Sequence, residues 1–354
     1  MRGPRSIGIV VALFLLATLP SVASSLAPTP TRFHVSSHVV GLVWTGHEFI
    51  ASYRDGTTKL LRASGNGSTI EPFAPAFTGQ GEVYIALSAG EAGFPSGYLY
   101  MSSGGSVYQA DPQGKTVKSF SNVSKSTLEF IAFDETGAWG HDLLALSASG
   151  EVWTIDSRGL PNLVTSLGDN LVPEGITVAP STFGSYGGNL IVSLEARHSV
   201  IAISHDNPLA NRTLATIPGE APERVLVIPA GEALYVAKYD DGSVVGFGAG
   251  NFSSVVGSIL MITEGESGQT GSLTVLTAAG NNVTASRIFE DHTSPHFEGA
   301  AFASSFSVTT SASSSVAGGG LSGLLYPGVL LTAGVALVIG LIALRVRNRS
   351  AKTS

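Results

Sequence analysis

The 354-residue sequence contains no cysteine. Disulfide bonds, thiolate metal sites and a cysteine nucleophile are therefore all excluded. Charged residues are also scarce, at 13 % of the chain, and the formal net charge is −7. Nucleic-acid binding needs a basic stripe or patch, so we expect no nucleic-acid partner. A domain without disulfides must be stabilised by its own core, and this chain is long enough to bury one.

The first 23 residues have the three parts of a secretory signal peptide. Arg2 and Arg5 give a positively charged start, residues 7–19 form an almost unbroken apolar run, and residues 21–23 are small. The apolar run is short for a bilayer core of about 30 Å, which favours a cleaved signal over an uncleaved signal-anchor. We therefore predict that residues 1–23 are removed on export.

A second apolar segment, near the C-terminus, is long enough to cross a membrane. Residues 324–344 carry no charge, and their length matches the roughly 20 residues that span a bilayer. A basic tail, 345–354, follows, and the positive-inside rule places it in the cytoplasm. The preceding stretch, 305–323, is rich in Ser, Thr and Gly and predicts a flexible stalk. The sequence thus predicts a single-pass type I protein of the cell membrane, with an ectodomain of residues 28–304.

The ectodomain repeats a pattern of short strands. One unit consists of residues 129–133, 143–146 and 150–156, each a β-branched or aromatic run bounded by turn residues. The unit recurs about every 45 residues, which is the period of a propeller blade. Five copies and an irregular sixth predict an all-β fold, a β-propeller of six blades, with five or seven blades as alternatives.

The fifth and sixth units are assigned to blades in chain order. Their segments are 223–227, 234–237 and 242–247 for the fifth, and 259–262, 271–276 and 282–288 for the sixth. The last segment, 298–302, has the sequence of a first strand. We predict that it closes the ring beside the N-terminal blade, as part of a mixed blade.

Two segments carry a resemblance to a known group of proteins. They read Pro-Glu-Gly-Ile-Thr-Val-Ala-Pro at 173–180 and Ile-Pro-Ala-Gly-Glu-Ala-Leu-Tyr-Val-Ala at 228–237. In this order of motifs the chain resembles NHL-type and SMP-30/gluconolactonase-like six-bladed propellers over most of residues 40–302. The resemblance implies a central channel in which lactonases of the SMP-30 type hold a divalent metal through Glu, Asn and Asp. Here Glu223 and Glu298 stand where those enzymes have Asn and Asp, which counts against lactonase activity.

An acidic residue stands just before the first strand of five units. These residues are Glu82, Glu129, Glu174, Glu223 and Glu298. The first strand of a propeller blade lines the central channel, so we expect the carboxylates to converge near its axis. Converging carboxylates repel one another unless they are protonated or share a cation, and oxygen ligands suit Ca²⁺ or another divalent cation. The alternative is that these glutamates face water at the channel mouth or cap turns.

Two histidines and one tryptophan have neighbours that suggest a role. His38 and His296 lie close to first-strand starts and are placed to join the channel, although a lone histidine is more often a surface or core residue. Trp139 lies in a predicted loop, Gly-Ala-Trp-Gly, where we expect it to be an exposed contact residue.

Five Asn-x-Ser/Thr motifs fall in the ectodomain next to turn residues, which makes them candidate N-glycosylation sites. Their asparagines are Asn66, Asn122, Asn211, Asn251 and Asn282.

Three functions fit this organisation. The favoured one is a non-catalytic, surface-anchored module whose loops bind an extracellular protein, glycan or small molecule. The second is a metal-dependent, lactonase-like enzyme acting in the channel. The third is a structural component of the cell envelope. Propellers host unrelated functions, so the fold does not choose between them.

Overall fold

A computed structural model describes residues 32–304, except residue 169 and the segments 266–270 and 293–295. The predicted signal peptide, stalk, transmembrane segment and tail lie outside the described residues. Within the described part of the chain there is no helix long and apolar enough to cross a membrane.

The described residues form six four-stranded antiparallel sheets, so the predicted six-bladed β-propeller is confirmed. Blades 1 to 4 each use four consecutive strands, numbered here from the innermost outwards. The strands of blades 1 and 2 are β2 (Val39–Trp44), β3 (Glu48–Asp55), β4 (Thr57–Ser64), β5 (Ile70–Phe73), β6 (Ile85–Leu87), β7 (Leu99–Ser103), β8 (Ser106–Ala110) and β9 (Val117–Asn122). Those of blades 3 and 4 are β10 (Leu128–Phe133), β11 (Leu143–Ser147), β12 (Glu151–Ile155), β13 (Pro161–Ser166), β14 (Pro173–Val178), β15 (Leu190–Leu194), β16 (Ser199–Ile203) and β17 (Asn211–Thr216).

Blades 5 and 6 are interleaved in the chain, which the sequence assignment got wrong. Blade 5 consists of β18 (Ala221–Val227), β21 (Ile259–Glu264), β22 (Gly271–Ala279) and β23 (Asn282–Asp291). Blade 6 consists of β24 (Phe297–Ser304), β19 (Glu232–Lys238), β20 (Ser243–Phe247) and β1 (Arg32–His34). The hairpin β19–β20 was assigned to the same blade as β18, but it pairs with β24 and β1 instead.

The interleaving still closes the ring as predicted. The C-terminal strand β24 is the innermost strand of blade 6 and packs beside β2 of blade 1. The N-terminal strand β1 is the outermost strand of the same blade, so blade 6 is the mixed blade. Three short 3₁₀ helices in the described residues lie between strands, at Gly184–Tyr186, Glu195–Arg197 and Ala249–Phe252.

In the described residues, the innermost strands of blades 1, 3, 4, 5 and 6 have a β-bulge near their first residues. In blades 3, 4 and 5 the pairing with the next strand skips one residue, and that residue is Glu129, Glu174 or Glu223. In blade 6 the irregularity falls at Glu298 and the following glycine. A bulge adds one residue and re-aims its side chain. The repeated glutamates therefore owe their common placement to a repeated backbone irregularity.

Buried serines join the bulge of one blade to the next blade. Ser52 Oγ accepts a hydrogen bond from the Gly41 amide (2.7 Å) and donates one to the Val83 carbonyl of blade 2 (2.5 Å). Ser193 Oγ in blade 4 lies within hydrogen-bond distance of the Glu223 carbonyl of blade 5 (3.3 Å) and of the Gly175 carbonyl of its own blade (3.4 Å). The adjacent glycine makes room for this approach, because a Cβ added at Gly41 would lie 2.7 Å from Ser52 Oγ. We call these two residues the serine links.

Aliphatic and aromatic side chains pack between the blades. Trp139 belongs to this packing: it is buried, and its indole nitrogen donates a hydrogen bond to the Gly188 carbonyl (2.9 Å). The expectation of an exposed contact residue is therefore wrong. The loop that carries Trp139 is held by Asp134, whose carboxylate accepts a hydrogen bond from the Trp139 backbone amide (2.7 Å).

Candidate functional site

The predicted glutamates lie at the end of the channel where the innermost strands begin. Four of them are buried: Glu129, Glu174, Glu223 and Glu298. Glu82 is half-buried and differs from the others in register. The Val83 carbonyl accepts a hydrogen bond from Ser52, as the Glu223 carbonyl does from Ser193. Val83 therefore occupies in blade 2 the position that Glu223 has in blade 5, and Glu82 precedes it by one residue.

Burial and the charges of neighbouring carboxylates shift the pKa values of these glutamates. Burial raises the pKa of Glu174 well above its usual range, and the charges of Glu129, Glu195 and Glu298 raise it further. The pKa of Glu223 is raised in the same way, by burial and then by the charges of Glu298 and Glu174. A carboxyl in a desolvated site among like charges favours its neutral form. Glu174 and Glu223 therefore hold protons to higher pH than ordinary glutamates.

One cluster within this region has the composition of a metal site. Ligand atoms of Glu264, His296 and Glu298 all lie within 4.8 Å of one another, and all three residues are buried. His296 Nε2 is 2.9 Å from Glu298 Oε1 and 3.1 Å from Glu264 Oε2. We call these three residues the axial cluster. It unites β21 of blade 5 with β24 of blade 6, the two blades that are interleaved.

The proton distribution of the axial cluster follows from its burial. Burial opposes charge on His296, but hydrogen bonds to Glu264 and Glu298 outweigh that effect and raise its pKa to about 10. Burial raises the pKa of Glu298 to about 7, against the hydrogen bond from His296, and the charges of Glu82 and Glu264 act in the same direction as burial. Without a metal ion, the cluster at neutral pH is a protonated histidine among carboxyl groups.

The two histidines considered from the sequence differ in position. His296 belongs to the axial cluster, and its ring stacks on Tyr239 with centroids 4.4 Å apart. His38 is exposed, has φ of 56°, and contacts the same tyrosine at 4.8 Å.

A layer of large side chains crosses the channel just beyond the carboxylates. It contains Tyr84, Phe130 and Arg224, which follow the bulge position in blades 2, 3 and 5. The rings of Tyr84 and Phe130 are 5.5 Å apart, and the Arg224 guanidinium lies 4.5 Å from the Phe130 ring centroid. Blade 4 separates blades 3 and 5, so the last contact joins two blades that are not neighbours. Burial lowers the pKa of Arg224 to about 10, which still leaves it charged at neutral pH.

A cavity of about 420 Å³ occupies the channel on the other side of this layer. Each innermost strand contributes an apolar wall residue, and Arg224 lies at the inner end. The wall residues are Leu42, Ile85, Ile131, Ile176, Val225 and Ala300. Glu135 and Glu232 line it as well, and Glu135 is exposed, so it marks the mouth.

Sequence reasoning missed Glu264 and Arg224. Glu264 ends a second strand, and nothing in its local sequence shows that β21 pairs with β18 and so brings it to the channel. Arg224 does leave a signal, because it is a charged residue directly before the apolar run Val-Leu-Val-Ile at 225–228, within the same strand pattern. A charge in an innermost strand must face either the channel or a buried partner.

The candidate glycosylation sites lie towards the outside of the ring. Asn122, Asn211 and Asn282 are exposed at the ends of outermost strands, and Asn66 is exposed in the turn between β4 and β5. Asn251 is half-buried in a 3₁₀ helix. Glycosylation at these positions stays a prediction.

No protein-family model matches the chain, and no curated protein matches its sequence. Structures similar to this one include virginiamycin B lyase from Staphylococcus aureus, with 12 % identity, a TM-score of 0.48, and coverage of 75 % of this chain and 76 % of the lyase. A luciferin-regenerating enzyme is similar with 10 % identity, a TM-score of 0.49, and coverage of 75 % of this chain and 80 % of the enzyme. At these identities the likeness concerns the fold alone.

Proposed function

We propose that this propeller is a binding protein that holds a divalent metal ion in the axial cluster and uses it to bind an oxygen-bearing extracellular ligand. The observation that carries the proposal is the meeting of Glu264, His296 and Glu298 within 4.8 Å in a buried site. Buried carboxylates repel one another, and a divalent cation carries more positive charge to offset that repulsion than the single charge of protonated His296.

The residues present fit a metal ion. Among the described residues, Oε2 of Glu298 is buried without a hydrogen-bond partner, so it offers an unused acceptor. The donor set also sharpens the choice of metal. Carboxylates alone suit Ca²⁺ or Mg²⁺, whereas an imidazole with carboxylates suits first-row ions such as Mn²⁺ or Zn²⁺. Ca²⁺, the ion favoured from the sequence, is therefore the weaker candidate.

Protons compete with the metal for these ligands. A metal-bound histidine must be neutral, yet His296 has a pKa of about 10 in the metal-free protein. We therefore expect metal affinity to rise with pH across the neutral range, with protons released on binding.

The experiment is metal analysis of the full-length chain after equilibrium dialysis against Mn²⁺, Zn²⁺ or Ca²⁺. One equivalent is expected for the unaltered protein, and Glu298→Gln should lose it. Glu71→Gln, which changes an exposed glutamate of β5, is the matched control and should retain the metal. Absence of bound metal from the unaltered protein at pH 8 would refute the proposal.

Metal-dependent hydrolysis is a second candidate, and one observation favours it. Glu174 and Glu223 have raised pKa values near the axial cluster, so each is suited to donate a proton to a leaving group. A bound divalent ion would supply Lewis-acid polarisation of an ester carbonyl. Lactone hydrolysis that needs added metal, and that falls at least tenfold in Glu174→Gln, would establish this function. A metal-loaded protein without turnover supports the binding function instead.

We also propose that the propeller works outside the cell, held by the segment 324–344. The support is the apolar length of that segment and the basic residues that follow it. Protease added to intact cells should digest the propeller and leave a fragment that contains the C-terminal tail. Full protection from the protease would contradict this location.

A further inference from the structure

The cavity beyond the central layer has a charged group at its inner end that the axial cluster does not use. Arg224 is 5 % exposed. Among the described residues its guanidinium takes part in no ion pair, and its Nε is buried without a hydrogen-bond partner. Burying a charge without hydrogen bonds is costly. Contact with the Phe130 face offsets part of that cost but satisfies none of the N–H donors.

The neighbouring carboxylates do not account for Arg224. Glu223 and Glu298 favour its charged form electrostatically. No hydrogen bond joins either of them to the guanidinium within the described part of the chain. Arg224 instead lines the 420 Å³ cavity, whose walls include apolar side chains from all six innermost strands.

We propose that this cavity binds a small apolar carboxylate, with its carboxylate group on Arg224 and its apolar body against the walls. Guanidinium and carboxylate form paired, charge-assisted hydrogen bonds. The apolar body gains from leaving water. Glu135 and Glu232 near the mouth repel a second anionic group, so the outer end of the ligand is neutral or cationic.

The test uses two probes that differ only in their charged end, 3-phenylpropanoate and 3-phenylpropan-1-ol. Calorimetric titration of the full-length chain, with protein-free buffer of the same composition as blank, should show the acid binding at least tenfold more tightly than the alcohol. Arg224→Met should reduce the affinity for the acid to that for the alcohol and leave the alcohol unchanged. Arg224→Lys should retain part of the preference.

A second variant tests the location. Ala132 is a half-buried wall residue of β10, and Ala132→Phe should abolish binding of both probes with little change in the melting temperature. Equal affinity of the unaltered protein for acid and alcohol, or no binding of the acid at millimolar concentration, would overturn the proposal even if Arg224→Met does not fold. Loss of metal in Glu298→Gln is a separate measurement, so the two sites can fail independently.

Discussion

Several residues near the channel axis have shifted pKa values. Their effects on stability therefore depend on pH and can be measured. Glu174 is buried among like charges, and its pKa is raised. Below the pH at which it ionises, the folded protein carries a neutral carboxyl there. In the unfolded chain this group ionises at the ordinary pKa of 4.5, so stability falls as pH rises from that value towards the raised folded pKa and stays reduced above it.

Glu174→Gln is therefore expected to stabilise the metal-free protein at pH 8 and to have little effect at pH 5. The amide has the same shape and never ionises, so the gain at pH 8 should be of order 1 kcal/mol, the scale of one pKa unit. Thermal unfolding in the presence of a chelator measures it. Glu71→Gln, at an exposed position, should change nothing at either pH, and an equal gain from both variants would contradict the assignment.

His296 predicts a pH dependence of its own. Its folded pKa of about 10 exceeds the ordinary 6.5, so its stabilising effect is complete below pH 6.5 and is lost as pH rises towards 10. We expect the free energy of unfolding to fall less over that pH range in His296→Gln than in the unaltered protein, by at least about 1.4 kcal/mol, when both are measured with a chelator present. Denaturant unfolding at several pH values gives the slope. Parallel curves for variant and unaltered protein would show that His296 is not held protonated.

At the scale of strands, the serine links couple neighbouring blades. Ser52 and Ser193 are fully buried, and each hydroxyl bonds to the backbone of the next blade. Losing such a bond leaves a buried carbonyl unsatisfied, which costs about 1–3 kcal/mol.

We expect Ser52→Ala and Ser193→Ala each to destabilise the protein by that amount, measured by denaturant unfolding. Ser119→Ala, on the exposed face of β9, is the control and should be neutral. Because the two links lie between different pairs of blades, the double variant should show nearly additive losses. A neutral Ser52→Ala would mean that the Val83 carbonyl and the Gly41 amide are satisfied by other partners.

Strands also show how far the sequence could predict this structure. Short β-branched runs and turn residues located most strands, because those signals are local. The partner of a strand is not a local property. Leu234–Ala237 follows β18 at the spacing of a second strand, and nothing in its composition shows that it pairs with β24, more than sixty positions along the chain.

The same holds for the candidate site: its local sequence signals were predictable, but the strand pairing that assembles it was not. The glutamates at strand starts were visible because they repeat, and four of the five lie at the bulge. The register of Glu82 and the position of Glu264 at the channel both depend on how the strands pair. Neither could be predicted from the sequence around these two residues alone. Trp139 lies in a loop as predicted, but its burial near Gly188 is a tertiary effect that the loop sequence does not show.

At the scale of the whole molecule, ring closure depends on β24. This strand is innermost in blade 6 and contacts β2 of blade 1 and β18 of blade 5. A chain ending at Ser304 should unfold cooperatively, whereas a chain ending at His296 should not, because blade 6 would lack its channel strand. Calorimetry of the two truncated chains provides the comparison. A cooperative transition for the shorter chain, at a similar temperature, would contradict this role.

The interleaving of blades 5 and 6 also constrains the order in which the molecule can be completed. Blades 1 to 4 consist of neighbouring strands that can pair as soon as they are synthesised, whereas β18 must wait until β19 and β20 have been made before β21 becomes available. The N-terminal strand β1 must also wait, since it pairs with β20, more than two hundred positions along the chain. Distant pairings of this kind slow folding. Blades 5 and 6 should therefore mature together as one late cooperative unit, and the axial cluster, which they share, should form only at the end of folding.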